Sequence, residues 1–397
     1  MYFDHLAEAS PDPILGMKQA FLADTRPHKV DLGVGIYKTA ELKEPVMAAV
    51  KEAETRLFSR EIIGDYLPID GDPAFIQETG KLSLGPFYET NAPRIYGAQS
   101  VGGTGGLRVC AEFLAQLGVK EIYLPDPTWP NHLFIFEKAK IAIRRYPYYS
   151  KEKKGLDFDA MHAFFSGLEE RSAILFHACC HNPTGSDPTL EEWKTLSSLF
   201  KRKKLFTVFD MAYQGLGQGL DADAAGVRHF AEAGHSICLV LTFAKNFSLY
   251  AQRAASFFLV LEEEKQKKIV ASHVKRIIRP LYSNPPAHGA LIVAEILRAG
   301  ELRKKWLHEL EGMRKRITQM RNALTDLLVA KPSPVNYEFL RNHKGMFSFC
   351  NLEKTQVARL REEYAIHMSE NGRINIAGLN QNNIEYVANA LHAVSLR

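Results

Sequence analysis

Between residues 121 and 242 the chain alternates short apolar runs with helical patterns, and this alternation limits the possible folds more than any other feature. The runs 121–124, 173–178, 205–209 and 237–242 are rich in β-branched or aromatic residues, and each gives way to polar or turn residues. Such runs read as buried strands. The segments between them, such as 190–201, have helical spacing. A βαβα order predicts an α/β fold with a mainly parallel sheet covered on both faces. Functional groups in such sheets collect at the carboxyl ends of the strands. Over 301–330, Leu302, Trp306, Leu310, Met313, Ile317, Met320, Leu324 and Leu327 recur every three or four positions. This predicts one long amphipathic helix, interrupted only by Gly312. The helix is expected to bridge to a smaller α/β domain with strands at 346–350 and 373–377. Residues 1–44, with turn signals at Pro11, Pro13, Gly33 and Gly35, are expected to pack with that domain. The division reads 45–312 for the large domain, and 1–44 with 313–397 for the small one.

Composition narrows the class. A chain of 397 residues can bury a substantial core. The 50 Lys+Arg against 45 Asp+Glu leave a charge of +5, and no block of five or six like charges occurs. No nucleic-acid-binding tail is therefore expected. No apolar run approaches the ~18 residues of a membrane span. The start, Met1-Tyr2-Phe3-Asp4-His5, has neither the basic nor the apolar region of a secretory leader. The five cysteines, Cys110, Cys179, Cys180, Cys238 and Cys350, are odd in number and argue against a disulfide framework. Cys179-Cys180-His181 lacks the spacing of a structural zinc site, so no metal is expected. Reduced thiols and the lack of an address favour the cytoplasm.

Five short elements can carry chemistry. Lys245 directly follows the apolar run 237–242. Desolvation there lowers a lysine's pKa and sharpens it as a nucleophile toward a carbonyl, although a lysine after a strand is more often a snorkelling surface residue. Arg253, eight residues on, offers a fork of donors to a phosphate. Asp210 closes another apolar strand and needs a cationic or hydrogen-bonding partner if buried; the plainer alternative is a turn cap. Tyr213 follows it. The run Gln99-Ser100-Val101-Gly102-Gly103-Thr104-Gly105-Gly106-Leu107 opens a helical pattern reaching Leu117. A helix start rich in glycine can receive an anion. The run 177–185 reads as a strand ending in a loop. Arg373, after a glycine turn, can clamp a carboxylate or simply be solvated.

Together these elements resemble the fold-type-I, class I aminotransferases over essentially the whole chain. The resemblance rests on His181-Asn182-Pro183-Thr184-Gly185, Asp210 with Tyr213, Lys245 with Arg253, and Arg373. Four further runs, 65–71, 128–132, 282–286 and 345–348, resemble the aspartate/aromatic branch. The resemblance implies pyridoxal 5′-phosphate as cofactor. It makes Lys245 the residue that holds the cofactor aldehyde and moves the substrate proton. Asp210 would keep the pyridine nitrogen protonated. Asn182 and Tyr213 would bond the phenolic oxygen. Gly103, Thr104 and Arg253 would hold the phosphate, with Thr242 nearby. Trp129 would stack on the ring, and His132 would support Asp210. Asn182 and Arg373 would bind the substrate α-carboxylate, with Gly35 in the segment closing over it. Tyr66, Arg279 and Asn284 would reach in from a second subunit, which implies a homodimer with shared sites. The sequence departs from the family at Gly102, Thr242 and Ala244, where serines often stand, and at Ser248, where glycine is common. The implied reaction is two-step, ping-pong transamination between aspartate or glutamate and 2-oxo acids (oxaloacetate, 2-oxoglutarate). Aromatic amino acids are the alternative main substrates. Ile14, Ile36 and Lys38, near the entrance, are expected to tune the choice.

Overall fold

The structure, a computed structural model, describes residues 2–8, 13–60 and 65–396, with side chains from 16 onward in the second stretch. Pro11 and the side chain of Ile14 lie outside the described residues. Seven strands form the central sheet: β1 (Ile95–Val101), β2 (Glu121–Asp126), β3 (Ala142–Pro147), β4 (Ala173–His177), β5 (Phe206–Met211), β6 (Ile237–Thr242) and β7 (Ala254–Val260). Their order is β1-β7-β6-β5-β4-β2-β3. All neighbours are parallel except β7, which runs antiparallel to both β1 and β6. The start of β7 therefore lies at the same edge of the sheet as the carboxyl ends of the others. This brings Arg253, just before β7, level with Asp210 near the end of β5 and Thr242 at the end of β6.

β6 is buried at every position and so is β7, as expected of strands covered on both faces. On one face an aromatic cluster locks the layers: Phe176 of β4 packs at 5.1 Å from Trp193 and 5.7 Å from Phe165, edge-on in both cases. The helix that carries Trp193, Leu190–Lys203, starts at a capping box in which Thr189 and Glu192 satisfy each other's backbone N–H groups. On the other face the glycine-rich helix Gly102–Gln116 packs on β6 and β7, with Gly106 allowing close approach to Val240.

The long helix spans Gly300–Val329, and Gly312 does not break it. Its buried stripe differs from the expected one over the last turns. Arg321, Thr325 and Leu328 are buried, whereas Met320 and Leu327 are half-exposed. The stripe drifts because a straight helix advances by 3.6 residues per turn rather than a fixed three or four. Arg321 is held there by Ser348 Oγ at 3.1 Å and by the carbonyl of Gly345. Val30–Asp31 pairs in parallel with Ile366–His367. The C-terminal strands are shorter than the sequence suggested, Phe347–Phe349 and Arg373–Asn375, paired antiparallel. Beyond Asn375 the side chain of that residue caps a 3₁₀ turn instead of continuing the strand. Among the described residues no helix is long and apolar enough to cross a membrane.

Candidate active site

A cavity of about 280 Å³ opens where the parallel strands end and β7 begins. It gathers Asp210, Tyr213, Thr242, Lys245 and Arg253 with Gly103, Thr104, Trp129 and Asn182, and it reaches Gly35 and Arg373 from the chain ends. Eleven residues that the sequence singled out thus share one wall space, although they are spread from 35 to 373.

Asp210 stands opposite His177 of β4 and Val240 of β6 in the sheet register. Its Oδ2 is 3.0 Å from Nε2 of His132. Thr128 Oγ1 is 2.8 Å from Nδ1 of His132 and 3.1 Å from Nε2 of His177, and the backbone N–H of Asn182 donates to His177 Nδ1 at 3.4 Å. One proton arrangement satisfies all four contacts. His177 Nε2–H donates to Thr128, the Thr128 hydroxyl donates to His132 Nδ1, and His132 Nε2–H donates to Asp210. This assigns the tautomers from the network. It also requires neutral His177, and burial together with nearby His132 pushes that ring down to about 3. Burial raises the pKa of Asp210, but the hydrogen bond from His132, with Lys245 nearby, outweighs it and holds the carboxyl below its ordinary value. The carboxylate is therefore ionised at neutral pH.

Lys245 lies just past β6 with Nζ 5.2 Å from the centre of the Tyr213 ring. Burial lowers its pKa to about 8; Asp210 pulls upward and Arg253 pushes further down. A sizeable fraction is then neutral amine near neutral pH. At the far side, Gly103 and Thr104 begin the helix Gly102–Gln116, and the Thr104 hydroxyl accepts from Asn131 Nδ2 at 3.3 Å. Gly102 has φ +64°, and a Cβ there would lie 2.7 Å from Cζ of Arg253. That close approach explains why glycine rather than serine stands at 102 in this chain. Ser248, another departure, holds a left-handed φ of 54°, and its buried hydroxyl has no partner among the described residues; this is the conformation in which glycine is the usual residue.

Arg373 forms the cationic end. Its Nη1 donates to Asn182 Oδ1 at 2.9 Å and its Nη2 to the Gly33 carbonyl at 2.6 Å. The guanidinium lies over the Phe347 ring at 4.2 Å. Burial lowers its pKa to about 10, so it stays charged at neutral pH. Its buried Nε has no partner among the described residues, which leaves a donor on a fork suited to a carboxylate.

Four expected site residues do not line this cavity: His132, Tyr66, Arg279 and Asn284, whose Nδ2 donates to the Leu67 carbonyl at 3.1 Å. His132 lies behind Asp210 rather than in the cavity wall. Tyr66 is 88% exposed. Arg279 is exposed and donates to Ser283 Oγ at 2.6 Å. Lys38, expected near the entrance, pairs with Asp31 at 2.8 Å. Sequence reasoning gave no role to His177, Tyr250 or Phe347, all of which line the cavity. His177 and Phe347 lay inside quoted motifs, and Tyr250 lies midway between Lys245 and Arg253, so position alone was the available signal. Cys179, Cys180 and Asp223 bring ligand-type atoms within 4.8 Å of one another. The Asp223 carboxylate is already engaged by the N–H groups of Gly215, Gly217 and Gln218, which makes it a turn organiser.

Comparison with known proteins fits this geometry. The family model "Aminotransferase class I and II" matches residues 27–391. Aspartate aminotransferase of Haemophilus influenzae is 42% identical over 391 residues, covering 98% of this chain and 99% of that protein. The aspartate aminotransferase of Escherichia coli is likewise 42% identical, covering 99% and 100%. Among solved structures, the aromatic-amino-acid aminotransferase of Burkholderia pseudomallei, covalently bound to pyridoxal phosphate, superposes with a TM-score of 0.96 at 41% identity, covering 100% of both chains. The cytoplasmic aspartate aminotransferase of Saccharomyces cerevisiae gives 0.94 at 37% identity, covering 99% of this chain and 98% of that one.

Proposed function

This chain belongs to the class I and II aminotransferases, and we propose that it exchanges amino groups between aspartate or glutamate and their 2-oxo acids with pyridoxal 5′-phosphate held on Lys245. The observation that carries this reading is the meeting of three groups in one cavity: a lysine lowered to about 8, a buried ionised aspartate and a buried arginine with an unpartnered Nε. These residues fit the cofactor. A cation-binding carboxylate, an anion-binding helix start with Arg253, and an amine between them match its ring nitrogen, phosphate and aldehyde. The relatives named for aspartate support the substrate.

When bound, pyridoxal phosphate supplies an electron sink for the pair left at the amino acid's Cα. The chain's residues do the rest. Asp210, fixed by His132, keeps a proton on the ring nitrogen by its charge. Lys245 would hold the aldehyde until the substrate's amino group takes its place, and the amine so released would take and return the Cα proton. Tyr213 and Asn182 donate to the phenolic oxygen. Gly103, Thr104 and Arg253 hold the phosphate, Thr242 closes that end, and Trp129 covers a ring face. Arg373 binds the α-carboxylate with an orientation set by Asn182, and Gly35 walls the site beside it.

We further propose a homodimer in which Tyr66, Arg279 and Asn284 complete the partner's site. None of the three lines the cavity of its own chain, which supports this. So does a largely apolar surface groove of about 830 Å³ beside Phe58, which is 93% exposed. The domain division is proposed at 45–312 against both ends. The buried cysteines, free of disulfides, support the cytoplasm as its compartment. Aromatic amino acids are the second reading, favoured by the likeness to aromatic aminotransferases. The test is kcat/KM for aspartate against tyrosine with 2-oxoglutarate, repeated in Arg279→Leu. Aspartate should lead, and the variant should lose it selectively, because the partner's Arg279 is proposed to grip the distal carboxylate with its two parallel donors. A tenfold or larger lead for tyrosine would reverse the assignment.

A further inference from the structure

The segment 33–39 forms the cavity wall beside Arg373, through Val34 and Gly35. On one side it hangs from the C-terminal part of the chain. Arg373 holds the Gly33 carbonyl at 2.6 Å, Asn375 Nδ2 donates to the carbonyls of Val34 and Ile36 at 2.7 and 2.8 Å, and Arg316 holds the Thr39 carbonyl at 3.0 Å. On the other side one hydrogen bond ties it to the lysine loop: the backbone N–H of Tyr37 donates to the Tyr250 hydroxyl at 2.8 Å. Tyr250 itself lines the cavity, and its carbonyl accepts from Arg253 Nη1 at 3.0 Å. Its phenol thus joins the substrate-facing wall to the loop that bears Lys245 and Arg253.

We propose that Tyr250 is a positioning residue that latches the 33–39 wall to the lysine loop, so that substrate affinity depends on its hydroxyl more than the chemical step does. This rests on the reading of the cavity as an amino-acid site. Tyr37 is buried, with 5% exposure. Removing the phenol oxygen leaves its N–H without an acceptor, and a buried unpaired N–H is costly. The wall then moves outward to find water. The wall's contacts to Arg373 and Asn375 persist, so the carboxylate clamp keeps its charge but loses its fixed partner surface. Phenylalanine at 250 keeps the ring and its packing, so the oxygen alone is tested.

The experiment compares Tyr250→Phe with the unmodified holoenzyme by two readouts. Backbone hydrogen exchange at Tyr37 needs no turnover and therefore judges the latch even if aspartate is not the substrate. It should quicken by roughly fivefold, the change expected for one neutral hydrogen bond. KM for the amino acid should rise by a similar factor while kcat stays within about twofold. Unchanged exchange at Tyr37 would overturn the latch. So would a kcat loss beyond tenfold with KM unmoved, because the phenol would then act on the reacting atoms.

Discussion

Replacing Asp210 by alanine isolates the electrostatic core of the mechanism. The carboxylate is 6% exposed and fixed by His132 at 3.0 Å. Opposite a protonated ring nitrogen, the place proposed for it, the carboxylate would form a buried charge pair. Breaking such a pair by removing one partner costs about 3–5 kcal/mol. At ~1.4 kcal/mol per tenfold, this predicts a fall of about 150- to 5,000-fold in the single-turnover rate with aspartate. The smaller competing effect is structural. His132 loses an acceptor, worth about 1–3 kcal/mol of stability, which lowers the melting temperature without touching the rate in the same proportion. Asp210→Glu keeps the charge at a shifted position and should fall between alanine and the unmodified protein. The assay is the half-reaction in stopped flow, followed by the cofactor's absorbance at saturating aspartate. A loss below tenfold in Asp210→Ala would mean that the carboxylate does not face the ring nitrogen, and the proposed roles of His132 and Thr128 would fall with it.

Other outcomes follow from the same geometry. A Lys245→Ala chain and an Arg279→Ala chain should each be nearly inactive on aspartate, whereas their hybrid dimer should regain activity toward half the unmodified value; hybrids verified by mass that regain nothing would exclude sharing of Arg279. Labelling of Lys245 by a neutral-amine-selective reagent in cofactor-free protein should rise with pH to a midpoint near 8, as the lowered pKa requires; a midpoint near 10 would show a solvated lysine. Ser248→Gly should stabilise the fold by about 1–2 kcal/mol, because it relieves a left-handed φ of 54°; a lower urea midpoint would contradict this.

Much of the site was legible in the sequence because its residues sit at the ends of strongly apolar strands. Asp210 and Lys245 follow runs whose burial could be read directly, and the strand rule then sent them to one edge. The parallel sheet came from the same pattern. β7 was not anticipated, and its reversed direction is what brings Arg253 to that edge; an apolar run does not encode its direction. The relay through Thr128 and His177 was also hidden, since it links three strand ends through side chains far apart in sequence. Tyr250 was invisible for a related reason: its partner is a backbone N–H in the 33–39 segment, and a backbone donor leaves no mark in the sequence. Arg321 ran against hydrophobic patterning because carbonyls and a serine, rather than apolar neighbours, surround its head.

Lys245 is the proposed anchor of the cofactor, and every other role depends on it. The direct measurement is borohydride reduction of the protein loaded with pyridoxal phosphate, then digestion and mass mapping of the lysine-containing peptides. One phosphopyridoxyl group per chain is expected, fixed on the peptide that contains Lys245. Modification at a different lysine, or none on a protein that remains colourless after reconstitution, would contradict it.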